Sequence, residues 1–187
     1  TLSMRVQIAR IALWEAAYDQ AWKVAQEVVT AAPAGDRSYL PTLVEAENVL
    51  GMTAFYRKKL SDPPPDDLEV ARQHYQRAVD LSTEYAGDAA PETASQKMYV
   101  GQVLAAISLD QGVAVMREAV DGLRAANDPR ATLVTAAIGL RYVEHKRAAE
   151  GLPYLLDAID HGDLANLDPS NRGKLRLKAA DALLQLR

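Results

Sequence analysis

The stretch IGLRYVEHKRAAEGLPYLLDAI, residues 138–159, reads as a helix, a short joint and a second helix. Two glycines, Gly139 and Gly151, stand inside those helices. Each costs about 1 kcal/mol relative to alanine in a helix interior, so something must offset the penalty. In the first helix an aliphatic–small pair is followed three residues on by an aromatic: Ile138, Gly139, Tyr142. The second helix carries small, large, small at spacings of four and three, Gly151, Leu155 and Ala158. Residues three and four apart share a helix face. Small side chains there let two antiparallel helices approach closely, while the large one fills the gap toward a neighbouring hairpin. The glycines mark contact.

The same arrangement recurs along the chain. Leu50, Gly51 and Ala54 precede Ala71, Tyr75 and Ala78; Tyr99, Val100 and Val103 precede Gly112, Met116 and Ala119. At the start, Ile8, Ala9 and Ala12 precede Ala21, Ala25 and Val28, closed by Pro33. Breakers fall between these units. The triplet in SDPPPDD cannot continue a helix, and Asp66 or Asp67 can cap the next one. Gly87 suits a helix C-terminus, Pro91 a first turn, and NDP places Asp128 as a cap with Pro129 opening a helix. Helices are expected from Ser3 to Ala16, Tyr18 to Ala32, Tyr39 to Lys59, Leu109 to Ala126 and Ala148 to His161, with His161 followed by Gly162.

Hairpins are thus predicted over about 3–33, 39–87, 91–127 and 129–162, followed by a closing amphipathic helix over about 171–186. No segment alternates with the two-residue period of a strand, so more than about 70% helix and no sheet are expected. The predicted fold class is all-α: an α-solenoid of four antiparallel helical hairpins with a C-terminal capping helix. An unrelated helical bundle with alanine-rich crossings is the alternative.

Composition bounds the function. The chain has 187 residues, 49% hydrophobic and 25% charged, with a net charge of -4. An acidic balance argues against direct nucleic-acid binding, which normally shows a basic face. Without cysteine there is no disulfide, thiolate metal site or cysteine nucleophile, which fits a cytoplasmic protein. No apolar run approaches the roughly 20 residues that span a bilayer, so no membrane is expected. The opening TLSMRVQIARIALWEAAYDQAW lacks the parts of a signal peptide. It begins at Thr1 and enters helical period within a few residues, as a piece cut from a longer protein would.

The repeated pattern resembles the tetratricopeptide repeat (TPR), whose signature pairs a Leu-Gly-x-x-Tyr helix with an Ala-x-x-x-Phe helix, often closed by proline. The resemblance runs from about Leu2 to Gly162, with the last helix as a cap. It is degenerate: the large aromatic that opens the signature is missing from the first and fourth hairpins, and the third lacks a small residue beside Tyr99. Hairpins also recur at about 39 to 49 residues, longer than the basic repeat of about 34. That period, and the join ARQHYQRAVDLSTEYAGDAAPETAS, look like the kinesin-light-chain type, found also in bacterial signalling ATPases and transcription regulators.

Chemistry leaves little trace. His74, His145 and His161 fall in different hairpins and none has a partner at metal-ligand spacing, so structural roles are expected. Asp62, Asp66, Asp67 and Glu69 lack the glycine and closing glutamate of a calcium loop and read as a solvated loop. No HExxH, GxSxG, phosphate loop or GxGxxG occurs, and neither an enzyme nor a cofactor or metal is expected.

A hairpin solenoid offers a groove instead, lined by the first helix of each hairpin. The resemblance implies a protein or peptide segment as the partner there. One residue past the packing set, the inner face collects Arg10, Leu13 and Trp14, then Asn48, Met52, Phe55 and Tyr56, then Lys97 and Leu104, then Leu140, Val143 and Glu144. The candidate partner site is Arg10, Trp14, Asn48, Met52, Tyr56, Lys97, Leu140 and Glu144. Trp14, Met52 and Tyr56 supply apolar area; Arg10, Asn48 and Lys97 can hold a backbone or carboxylate. Against this, Trp14 and Phe55 could fill the seam between hairpins, and Arg10, Asn48 and Lys97 could form a solvated face. The paired Lys-x-x-x-Asn and Lys-x-x-x-Arg helices of the chaperone-tail clamp are absent from the inner faces. The leading expectation is a non-enzymatic interaction domain of a larger cytoplasmic regulator or scaffold. The alternatives are a signal-peptide sensor controlling an attached ATPase or transcription-regulator module, and a self-association module.

Overall fold

The computed structural model describes residues 1–60, 66–160 and 169–186, and 87% of these are helical, with no strand among them. Nine α-helices follow one another among the described residues: α1 (Leu2–Trp14), α2 (Tyr18–Ala31), α3 (Leu40–Leu60), α4 (Asp66–Ala86), α5 (Pro91–Ile107), α6 (Leu109–Ala125), α7 (Arg130–Glu144), α8 (Ala148–Asp160) and α9 (Pro169–Gln185). A 3-10 turn, Arg37–Tyr39, precedes α3. Helices pair as α1/α2, α3/α4, α5/α6 and α7/α8, each hairpin stacks on the next, and α9 lies over the last. The proline triplet, the capping role of Asp66, His161 and Gly162 lie outside the described residues or side chains.

Helix ends follow local chemistry. Asp36 Oδ1 accepts the Ser38 amide at 3.0 Å and the Ser38 hydroxyl at 2.7 Å, which starts the chain turning into α3. Gly87 ends α4 with φ +97°, a left-handed conformation open to glycine at little cost. Asp128 Oδ1 accepts the Arg130 amide at 2.9 Å, so the aspartate satisfies an orphan donor at the start of α7. The first helix stops at Trp14, short of the expected Ala16. Ala16 turns left-handed, φ +58°, and the Ala17 amide bonds back to the Ala12 carbonyl at 2.8 Å. The last helix opens at Pro169, slightly ahead of the expected Asn171.

The packing triplets of the second helices are all interior: Ala21, Ala25 and Val28; Ala71, Tyr75 and Ala78; Gly112, Met116 and Ala119; Gly151, Leu155 and Ala158. Gly139 and Gly151 face each other. A Cβ placed on Gly139 would sit 2.8 Å from the Leu155 side chain and 2.9 Å from the Gly151 carbonyl; one on Gly151 would sit 2.6 Å from the Gly139 carbonyl. The fourth crossing is therefore backbone against backbone. A Cβ on Gly112 would fall into the backbone of Ala105. Gly51 instead lies under the ring of Tyr75, 2.9 Å from where its Cβ would be.

The third hairpin corrects the expected register. Gly101, rather than Val100, occupies the crossing: its Cβ would meet the Gly112 carbonyl at 2.9 Å, as that of Gly139 meets Gly151. The crossing residues are thus Ala9, Gly51, Gly101 and Gly139. The residue four places after each of them is buried in every hairpin: Leu13, Phe55, Ala105 and Val143. Most of the fully buried polar side chains are hydrogen-bonded. His74 meets Glu47 at 2.6 Å, with the Trp22 ring edge-on at 5.3 Å. Thr53 and Thr135 donate to the carbonyls of Val49 and Ala131 one turn back.

Candidate partner-binding face

First helices touch one another directly along α1–α3, α5–α7 and α7–α9, more than second helices do. The more closely set row lies on the inside of the curve, so α1, α3, α5 and α7 present the inner face. Two register positions look outward there. One residue past the crossing stand Arg10, Met52, Gln102 and Leu140; five past it stand Trp14, Tyr56, Ala106 and Glu144.

The structure separates the sequence candidates. Trp14 is 71% exposed, so it does not fill a seam, and the Arg10 guanidinium lies 5.3 Å from its ring centroid. That pairing holds a cation and an aromatic face together at the surface. Arg10 also donates to Gln7 Oε1 at 3.2 Å, and Gln7 Nε2 donates to Glu45 of α3 at 3.1 Å. Tyr56 is 38% exposed, with its ring edge-on to Phe55 at 5.9 Å. Met52 is half-buried between the core clusters on either side of the second hairpin. Leu13, Phe55 and Val143 are core residues.

Asn48 and Lys97 stand apart. Asn48 is half-buried, its Oδ1 enclosed and without a hydrogen-bond partner, as is Gln96 Oε1. It is a seam residue more than a surface donor. Lys97 sits four residues before the crossing, the position of Arg5, Glu47 and Thr135 in the other hairpins. Arg5 turns to Glu27 of α2 and Glu47 to His74 of α4, away from the inner face. Lys97 likewise reaches Asp88 in the α4–α5 joint at 2.8 Å. The one-residue register error placed it on the wrong side.

The sequence pattern does not single out Tyr99 or Arg130 for this face. Tyr99 stacks on Tyr75, ring centroids 5.3 Å apart and planes 11° from parallel. Burial and then Tyr56 push its hydroxyl pKa up, while the charges of Arg10 and Arg130 pull it down. Side chains of α1, α3 and the start of α7 thus share one electrostatic field around a tyrosine of α5. Asp128 orients Arg130 through two bonds, 2.9 and 2.6 Å, and the carboxyl pKa falls as a result. The sequence pattern had assigned Tyr99 to packing.

At the other end of the row, Leu140 and Glu144 line a cavity of about 370 Å³ between α7 and α9, with Leu133, Ala137, Lys174 and Lys178. Glu144 is exposed and accepts from Arg141 at 2.8 Å. A second depression, about 490 Å³, lies at the α2–α3 joint, where Arg37 donates to the Glu84 carbonyl at 2.6 Å. Among the described residues no three His, Cys, Asp or Glu side chains gather as metal ligands, and no helix is long and apolar enough to cross a membrane.

Solved structures share this architecture. BtubC (BKLC) from P. vanneervenii superposes with a TM-score of 0.73 at 13% identity, over 95% of this chain and 70% of that one. A protein described as a kinesin light chain from Podosopora anserina, with nearly identical TPR-like repeats, gives 0.71 at 14% identity over 99% and 88%. The chain has a TPR-like fold. A single-substitution variant of the same Podosopora protein gives 0.73 at 14% identity, over 98% and 85%. No protein-family model and no curated protein matches the chain. TPR-like folds are commonly protein-interaction scaffolds, and the likeness to kinesin-light-chain repeats agrees with the long repeat period.

Proposed function

We propose that this chain is a non-enzymatic scaffold that binds a protein or peptide segment on the inner face of its solenoid, as part of a larger cytoplasmic regulator. One observation carries the reading: Trp14, 71% exposed, under the Arg10 guanidinium and in the same row as Tyr56. A large aromatic held in solvent beside a cation is costly surface unless something covers it, and Trp, Tyr and Arg are the residues that dominate interface energetics. The site centres on Arg10, Trp14, Met52 and Tyr56, continues past Tyr99 and Arg130, and ends at Leu140 and Glu144. Arg10 and Arg130 favour a segment with carboxylates or exposed carbonyls at that end.

The test is affinity selection from a displayed peptide library, followed by titration of the selected peptide. Alanine at Trp14 or Tyr56 should weaken binding by about tenfold or more, the scale of an interface anchor, while the domain stays folded. Alanine at Arg72 or Gln76, on the outer helix α4, should leave affinity intact. Binding that survives loss of both aromatics, or that maps to second helices, would place the site elsewhere on the fold.

A further inference from the structure

Each seam between stacked hairpins repeats one contact. It joins the residue three before a crossing, the last residue of the second-helix triplet, and the residue five before the next crossing. In the first seam these are Val6, Val28 and Ala46, packed as a cluster of their own. The third seam has Met98, Ala119 and Val134 in one apolar core, and the seam under α9 has Ala136, Ala158 and Leu175 in another. The second seam, between α3/α4 and α5/α6, has Asn48, Ala78 and Gln96. Two amides stand where the other seams hold hydrocarbon. Asn48 Oδ1 and Gln96 Oε1 are also the enclosed side-chain atoms without a hydrogen-bond partner among the described residues. Turning either amide over leaves a hydrogen-bonding group of the same size in the same place.

This polarity continues toward the α4–α5 joint. Eight residues before the crossing, α3 and α7 carry Leu43 and Ala131, whereas α5 carries Thr93, buried and bonded to Ser82 Oγ of α4 at 3.2 Å. Ser95 is buried as well. Past Gln96 the seam turns apolar: Tyr99 stacks on Tyr75, and Val100 and Val103 share a cluster with Phe55 and Val79. Ion pairs tie the neighbouring seams, Arg57 to Asp19 in the first, and Arg124 to Asp157 at 2.5 Å and Arg147 to Asp110 at 2.8 Å in the third. At its joint end the second is held by the neutral Thr93–Ser82 bond, with Lys97 and Asp88 paired beside the joint itself. Helices α3 and α5 also stand outside the set of first helices in close contact.

Parting an apolar seam exposes hydrocarbon to water, which opposes the motion. Parting the second lets water bond two amides that lie unpaired while it is closed, so the motion is opposed less. Local opening is drawn from regions with the fewest buried apolar contacts. We propose that the second seam is a built-in hinge: the first turns of α5 swing away from α3 and α4, pivoting on the Tyr75–Tyr99 stack, while the other seams stay closed. Swinging α5 widens the inner face between α3 and α5 and so regulates what fits there. That consequence rests on the proposed partner site, whereas the hinge itself is read on the free chain.

The test is hydrogen exchange of the free chain followed by mass spectrometry. Amides of residues 95–100 should be at least about tenfold less protected than their register equivalents in α7, residues 133–138. Asn48→Val together with Gln96→Ala installs the pair of the first seam. It should slow exchange at 95–100 by about tenfold and leave 133–138 unchanged. Equal protection of the two segments in the parent chain overturns the proposal, and that comparison decides even if the double variant fails to fold. So does a variant in which 95–100 exchanges as before. Slowing of every helix alike also overturns it, because the amides would then weaken the whole fold and not one seam.

Discussion

In the fourth hairpin Gly139 and Gly151 meet backbone to backbone, whereas in the second Gly51 meets the ring of Tyr75. Both glycines occupy the same register position and share the signature that made them legible, yet they resist substitution for different reasons. A carbonyl in a helix cannot retreat without moving the whole helix. A ring can tilt, but Tyr75 is stacked on Tyr99, and Tyr99 borders the inner face. Strain in the fourth hairpin should stay as lost stability, while strain in the second should also reach the binding surface.

The largest test of this contrast is Gly139→Leu or Gly112→Leu. Overpacking at a close crossing should lower stability by about 3 kcal/mol, read as a drop in the urea midpoint by circular dichroism. Leucine is the better helix former, so propensity alone gives the opposite sign. A midpoint that rises would mean the crossings are loose. Next in size, Gly51→Ala should cost about 1 kcal/mol, within the range for a small overpacking change. It should also weaken a peptide held near Tyr56. If Gly51→Ala costs as much as Gly139→Leu, the distinction between ring and backbone collapses.

The smallest effect is acid. Arg72 holds the Glu69 pKa down to about 2, helped by Gln73, in the second hairpin. Arg147 lowers that of Glu150 in the fourth. Carboxyls whose folded pKa is depressed stabilise the fold above their unfolded value, near 4.5, and that contribution fades as pH falls toward 2. Both groups are on the surface, so screening keeps the change modest. Midpoints should fall slightly between pH 5 and about 2.5 in thermal melts, and Glu69→Gln should remove part of the fall. A fall confined to one hairpin would show that acid, unlike glycine substitution, tells them apart.

Sequence pattern revealed the helices, their order and the reason for the glycines, because helix period and small-residue spacing are local properties. It failed where one residue of register mattered. Tyr99 drew the signature toward itself, though the small residue is Gly101, and a shift of one residue turns a helix face by about 100°. That error carried Lys97 to the inner face and hid Tyr99 from it. Trp14 and Phe55 looked alike in sequence, yet one is exposed and the other core, since Phe55 stands four residues past its crossing and Trp14 five past, on different faces of their helices. Arg130 stayed hidden because its role comes from Asp128 and from helices far away in sequence.

The joints after α1, α6 and α7 are one repeated device. Ala16, Asn127 and Lys146 take φ of +58°, +53° and +60°, and in each the next amide bonds back five residues: to Ala12, Leu123 and Tyr142. An L-residue pays roughly 1–2 kcal/mol for the left-handed conformation, less for asparagine, and helix ends of this kind usually use glycine. All three residues are exposed and none lines the inner face. Glycine at Ala16 and Lys146 should therefore each raise stability by about 0.5–1 kcal/mol, after the flexibility glycine adds to the unfolded chain. The sites are far apart in the stack, so the gains should add, and calorimetry should show the double variant melting a few degrees higher, at about 2–4 °C per kcal/mol. The molecule keeps a reserve of thermal tolerance in its hinges that can be drawn on without altering any surface that recognises a partner.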